Sequence, residues 1–218
     1  LAKHQEKLEF IEDFVDLFSE NAKALLEGVK DLFSNGKIWK EVSEGNIRAS
    51  SFGLNDRWVP LYNIHKIYAG LYDAYAVAGN AKAKQMLIKL TDWCVDMVSN
   101  LSDQQIQELL KSEHGGLNET FAHVYAITGN QKYLQLAKRF SDQSILNPLL
   151  KNTDALNGLH ANTQIPKVIG FEQIALLDKD AAWANAAAFF WKTVVEHRTV
   201  AIGGNSVREH FHPANDFS

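Results

Sequence analysis

The chain is short of the features that assign a class at once. It has one cysteine in 218 residues, Cys94, so no internal disulfide is possible. That residue lies in the apolar string "LTDWCVDMV", where a buried, inert thiol is expected. It has no excess of positive charge: 22 Lys and Arg face 26 Asp and Glu, a net charge of −4. This excludes a strong electrostatic footprint for nucleic acid or for an anionic membrane surface. No apolar run approaches the roughly 20 residues that a bilayer-crossing helix requires. No signal peptide is visible, and because the first residue is Leu1 rather than Met this is silent on compartment. β-Branched residues do not cluster and no period-2 alternation persists, so strands are not expected. "GGN", Gly203–Asn205, lacks the strand and the lysine that a phosphate cradle needs.

What is present is a repeat. The composition, 46% hydrophobic and 22% charged, suits a globular chain with a sizeable core. "YAVAGN" ends at Asn80 and "YAITGN" at Asn130, each between two Ala- and Leu-rich helical patterns. A third unit runs from "TQIPKVIGFEQIALL" through the turn Asp178–Asp180 into "AAWANAAAFFWKTVVEHR". Each unit reads as helix, tight turn, helix. Gly79 and Gly129 fit the position just past a helix where a left-handed backbone is needed. "QKYLQLAKRFSDQSI" reads as one helix, and Pro166 fits a first turn. The segment 1–36 has the spacing of one or two amphipathic helices, ended by "SNG", Ser34–Gly36. Lys37–Pro60, with "RASSFGLNDRW", reads as an irregular loop.

Four histidines keep the same period. His65, His114, His160 and His210 fall 49, 46 and 50 residues apart. The first three are expected just before, or in the opening turn of, the first helix of a hairpin. Stacked hairpins would bring such positions to one end of the array. A repeated capping role would explain each residue singly; four in register favour a lined pocket. Trp58, Tyr62, Asn162 and Gln164 accompany them. The terminal string "GGNSVREHFHP" adds Arg208, Glu209, His210 and His212. His210 and His212 have a His-x-His spacing, but without Cys or a third ligand no metal site is assigned. Such hairpins form open solenoids or closed toroids. Six at about fifty residues each would exceed this chain, so the expectation is all-α hairpins forming part of an (α/α)6 barrel, truncated at Ser218: N-terminal helices over 1–36 and a partial barrel over 37–218. An incomplete barrel is expected to self-associate or expose an apolar patch.

The strings "WVPLYNIHKIYAGLYDAY", "SEHGGLNETFAHVYAITGN", "GLHANTQIPKVIGF" and "GGNSVREHFHP" together resemble the bacterial β-L-arabinofuranosidase group, glycoside hydrolase families 127 and 146, from about Gly45 onward. The resemblance implies an (α/α)6 barrel and a carbohydrate substrate from plant glycans. It implies an acid/base at Glu209 and a sugar pocket lined by His65, His114 and His160. It also implies a nucleophilic cysteine held on zinc with further cysteines and a glutamate. Those residues belong, by the resemblance, to a Glu-Thr-Cys string and a later cysteine motif; neither is among the 218 residues, and Cys94 matches neither. Residues 1–218 alone are therefore expected to be inactive, with zinc a cofactor of the parent protein only.

The residues suit that chemistry. Glycoside hydrolysis takes an acid for the leaving oxygen and a second group at the anomeric carbon. His, Asn and Gln offer both donor and acceptor to sugar hydroxyls, and Trp58 and Tyr62 could stack on a sugar face. A non-catalytic helical-repeat scaffold, or another α/α-barrel sugar enzyme such as an epimerase or lyase, remains the alternative. The scaffold predicts that Glu209 is dispensable, and the other enzymes that no cysteine is needed.

Overall fold

The computed structural model describes residues 37–217. The expected N-terminal helices and the stop at "SNG" lie outside the described residues. The described chain is an all-α helical repeat with a single two-stranded hairpin. It divides into two compact units, meeting in sequence at Ser112 and Glu113.

The first unit holds α1 (Lys37–Ser43), β1 (Gly53–Leu54), β2 (Arg57–Trp58), α2 (Pro60–Ala76), α3 (Ala81–Met97) and α4 (Asp103–Leu109). The segment 37–60 is thus more ordered than the expected irregular loop. Its strands pair Gly53 with Trp58 and Leu54 with Arg57. Asn55 and Asp56, both at positive φ, make the two-residue turn such a pairing demands. Buried Asn55 holds the turn down: its Oδ1 accepts from the Arg48 amide at 2.8 Å, and its Nδ2 donates to Glu41 Oε2 and to the Asn46 carbonyl. α2 packs on α3, and Trp39 of α1 meets Trp93 of α3 edge-on at 5.4 Å. Cys94 is buried and accepts from Tyr68 Oη at 3.5 Å.

The second unit holds α5 (Leu117–Thr128), α6 (Gln131–Arg139), α7 (Gln143–Leu150), α8 (Ala161–Asp178) and α9 (Ala181–His197). α5 packs on α6 and α8, and α9 packs on α8 and α7. The apolar core gathers Ile145, Leu149, Val168, Phe171, Ala187, Phe190 and Phe211.

All three hairpin turns share one design. A left-handed residue ends the turn (Gly79, Gly129 or Lys179), and the next residue is an Asn or Asp that caps the second helix. Asn80 accepts from the Ala83 amide, Asn130 from Lys132, and Asp180 from Ala182 and Trp183. Each such cap stabilises its helix by about 1 kcal/mol. Ser102 and Gln105 form a capping box at α4.

Three local expectations are corrected. "QKYLQLAKRFSDQSI" is two helices, because Asp142 caps α7 through the Ser144 amide and breaks the run after Arg139. Pro166 lies in the second turn of α8, not the first. His65 lies in the second turn of α2, because Val59, not a residue nearer the histidine, takes the cap position.

The tightest helix contact is between α5 and α8. Asn118 Nδ2 donates to the Lys167 carbonyl at 2.9 Å, and a Cβ on Gly170 would meet the Asn118 side chain at 2.3 Å. Gly170→Ala is therefore expected to force the two helices apart and destabilise the second unit by about 1–3 kcal/mol. A lower denaturation midpoint, with Gly170→Ala recovered in part by Asn118→Ala, checks this.

A candidate glycoside-hydrolase site

The terminal segment is fixed by backbone pairing. Val207 and His210 exchange backbone hydrogen bonds of 2.9 and 3.1 Å. Between them Arg208 and Glu209 stand at φ 48° and 69°, so the turn is the primed type that glycine and asparagine ordinarily occupy. A short antiparallel ladder then fastens the segment to the start of α8: the Ala161 amide donates to the Glu209 carbonyl at 2.8 Å, the Phe211 amide to Leu159 at 2.9 Å, and the Gly158 amide to Phe211 at 2.8 Å. Phe211 is buried and meets Phe190 edge-on at 6.3 Å. Arg198, buried at the end of α9, donates to the His212 carbonyl, to Asp154 Oδ2 at 2.5 Å and to Asn157 Oδ1 at 2.8 Å. One guanidinium thus ties the terminal segment to the loop that precedes α8.

At the tip the Glu209 side chain is exposed, and its Oε2 lies 3.8 Å from His160 Nε2. The His160 and His210 rings stand 5.4 Å apart. His160 occupies the N-cap of α8, yet its side chain makes no capping bond. Its Nδ1 is 2.5 Å from Thr163 Oγ1, and that hydroxyl donates to Glu113 Oε1 at 3.3 Å. His210 Nδ1 meets the Arg208 carbonyl at 2.7 Å, which helps hold the turn. The residues sequence reasoning missed are Thr163 and the link from Glu113. The only hint of Thr163 was its i, i+3 spacing from His160, and the link from Glu113 spans fifty residues.

Beneath lies a buried charge pair. Lys167 Nζ donates to Asp142 Oδ2 at 2.7 Å and to Gln164 Oε1 at 2.9 Å, while Gln164 Nε2 donates to the His160 carbonyl at 3.3 Å. Burial alone would raise the Asp142 pKa; the Lys167 ammonium, Ser144 and the charge on His114 outweigh it and hold the carboxyl below its ordinary value. Buried His114 therefore acts on this pair, and Gln164 spans from it to His160. Asn162 is exposed at the start of α8. A shallow hollow beside α7, lined by Ser144, Ile145, Pro148 and Leu156 among others, takes in none of the candidate residues.

The first unit carries the other three candidates. Trp58 is 77% exposed on β2. Tyr62 is half-buried, with Lys66 over its ring at 4.5 Å and His65 at 6.3 Å. Val59, a β-branched residue at φ 41°, joins β2 to α2 in a conformation such residues avoid. His65 is buried with Nδ1 lacking a hydrogen-bond partner, and burial, aided by Lys66, pushes its pKa down to about 4. The unfolded imidazole binds its proton near 6.5. The stability that depends on a neutral His65 is thus complete above pH 6.5 and declines as the pH falls toward 4. The loss is expected to reach about 3 kcal/mol. Denaturation of wild type and His65→Leu across that window checks it: the variant should lose the dependence.

The described residues contain no group of three or more His, Cys, Asp or Glu able to hold a metal ion. Cys94 does not fit a zinc-held nucleophile either, because burial pushes its thiol up to about 12. No helix among the described residues is long and apolar enough to cross a membrane.

Comparison with known proteins follows the same line. No curated protein matches the chain. Residues 14–218 match the family model for the β-L-arabinofuranosidase, GH127 catalytic domain, which extends the likeness upstream of Gly45. The all-α hairpins and this match agree: the chain belongs to the GH127 catalytic-domain family of β-L-arabinofuranosidase-type glycoside hydrolases, an (α/α)6-barrel family.

Proposed function

We propose that this domain serves a retaining glycoside hydrolase that removes β-L-arabinofuranosyl groups from plant glycans, with Glu209 as its acid/base. The observation that carries the reading is Glu209 itself, a charged residue held at positive φ, exposed at the tip of a turn, and backed by His160. Backbone strain of this kind costs of order 1–3 kcal/mol and persists where the surroundings impose it, commonly at functional sites. The ladder to α8 and the burial of Phe211 are what impose it here.

Glu209 in its acid form would protonate the leaving oxygen as the glycosidic bond breaks, and in its base form would take a proton from the incoming water. His160 and His210 lie beside it, exposed Asn162 stands in the first turn of α8, and all three suit sugar hydroxyls. Gln164 and His114 would act from beneath, through the Lys167–Asp142 pair. Trp58, Tyr62 and His65 are proposed as sugar-binding residues, with exposed Trp58 as a stacking face. The zinc and cysteine of the family do not fit the described residues, so no step is routed through them. Residues 1–218 alone are accordingly proposed to be inactive.

The test is release of arabinose from an aryl β-L-arabinofuranoside by the protein that carries this domain, with NMR of the first-formed anomer. β-Arabinofuranose as the initial product supports the reading. An inverted product, or no hydrolysis of any arabinofuranoside, rejects it.

A further inference from the structure

The arrangement behind His160 has a consequence for where its proton sits. Thr163 Oγ1 donates its one hydrogen to Glu113 Oε1 at 3.3 Å. Toward His160 Nδ1, at 2.5 Å, the same oxygen can then only accept. Nδ1 therefore carries the proton, and a neutral His160 presents a bare Nε2. That nitrogen is the atom 3.8 Å from Glu209 Oε2. We propose that Thr163, held by Glu113, is a positioning residue that locks His160 in the Nδ1–H tautomer, so that its Nε2 lone pair faces Glu209 and accepts that residue's transferable proton.

The inference deepens the reading of Glu209 as the acid/base and rests on it. With Nε2 bare, His160 and Glu209 share one proton, which the carboxyl can give to a leaving oxygen. With the proton on Nε2 instead, the ring would present a donor to Glu209 and could no longer accept from it. The 3.8 Å separation suits a resting site whose hydrogen bonds tighten when substrate arrives. The alternative, that Thr163 merely finishes the first turn of α8, does not explain why the side chain at the N-cap bonds the Thr163 hydroxyl and leaves the helix uncapped. Glu113 comes from the segment before α5, so the lock joins two parts of the chain fifty residues apart.

Ring nitrogen-15 spectra of the full 218-residue chain, in alkaline buffer where the imidazoles are neutral, read the tautomer directly. Wild-type His160 should show a protonated Nδ1 and a bare Nε2. Thr163→Ser should keep that pattern, and Thr163→Val should move the proton toward Nε2, the tautomer a free imidazole favours. In the enzyme that carries this domain, Thr163→Val should lower kcat about ten- to a hundredfold, as loss of a tautomer-orienting partner does, with KM changed by less than about threefold and with Thr163→Ser restoring the rate. A wild-type ring protonated on Nε2 would overturn the proposal even if Thr163→Val failed to fold. So would Thr163→Val with full kcat. Because the tautomer is read without turnover, the two readings fail separately. A wrong assignment of Glu209 leaves the Nδ1–H signature in place. A wrong lock removes that signature while Glu209→Gln remains inactive.

Discussion

Replacing Lys167 by methionine is expected to destabilise the second unit by about 3–5 kcal/mol, the usual penalty for stranding one partner of a buried ion pair. Lys167 and Asp142 are both buried, and the pair joins α8 to the N-terminus of α7. Removing the ammonium leaves the carboxylate with the Ser144 amide and hydroxyl and the charge on His114, and without its closest counter-charge. Protonation then becomes the easier state for Asp142. In the wild type its pKa is held below 3.8, so the stability this carboxylate contributes is present above that value and is lost as the pH falls through the folded one. Hydrogen exchange in α5 and α8 should report the loss, since Asn118 of α5 bonds the Lys167 carbonyl. The double variant Lys167→Met with Asp142→Asn should recover a large part of it. Equal exchange in wild type and Lys167→Met would contradict the assignment.

Replacing Glu209 by glutamine in the enzyme that carries this domain is expected to lower kcat by about 10²–10⁴, the range for removing a positioned acid or base. Stability should barely change, because the side chain is exposed. Glycine is the sharper substitution. At φ 69° a side chain is strained and glycine is not. Relief of about 1–3 kcal/mol of backbone strain outweighs the roughly 0.4–1 kcal/mol that a freer unfolded chain costs, so Glu209→Gly is expected to raise stability by about 1 kcal/mol while abolishing activity. Arg208→Asn, at φ 48°, should ease the same turn and keep the carboxylate in place. A Glu209→Gly protein that is both less stable and active would contradict the reading of this turn as strain kept for function.

Much of the hairpin architecture could be read from the sequence because its signals are local. Gly79 and Gly129 take left-handed backbones, and Asn80, Asn130 and Asp180 cap the helices that follow. α7 was hidden because Asp142 restarts a helix after only a three-residue gap, and periodicity carries across so short a break. The hairpin at Gly53–Trp58 was hidden because two-residue strands are too short to alternate, although Asn55–Asp56 is a recognisable turn pair. His65 lies a turn deeper because Pro60, at the first position of α2, starts the helix five residues ahead of it, a signal the histidine period does not carry. In the candidate site, the approach of Glu209 and His210 to His160 followed the repeat. The Thr163–Glu113 link and the Lys167–Asp142 pair did not follow it, because they depend on how α8 sits against its neighbours.

The Phe211 ring lies two residues past Glu209, in one cluster with Phe190 and Val194 of α9. The turn that carries Glu209 is therefore anchored in the core of its unit rather than hinged on it. Warming the protein should not first loosen a lid and only later dissolve the interior. In the enzyme that carries this domain, inactivation and melting of this unit should trace a single curve, and a substrate mimic bound at the Glu209 turn should shift both together.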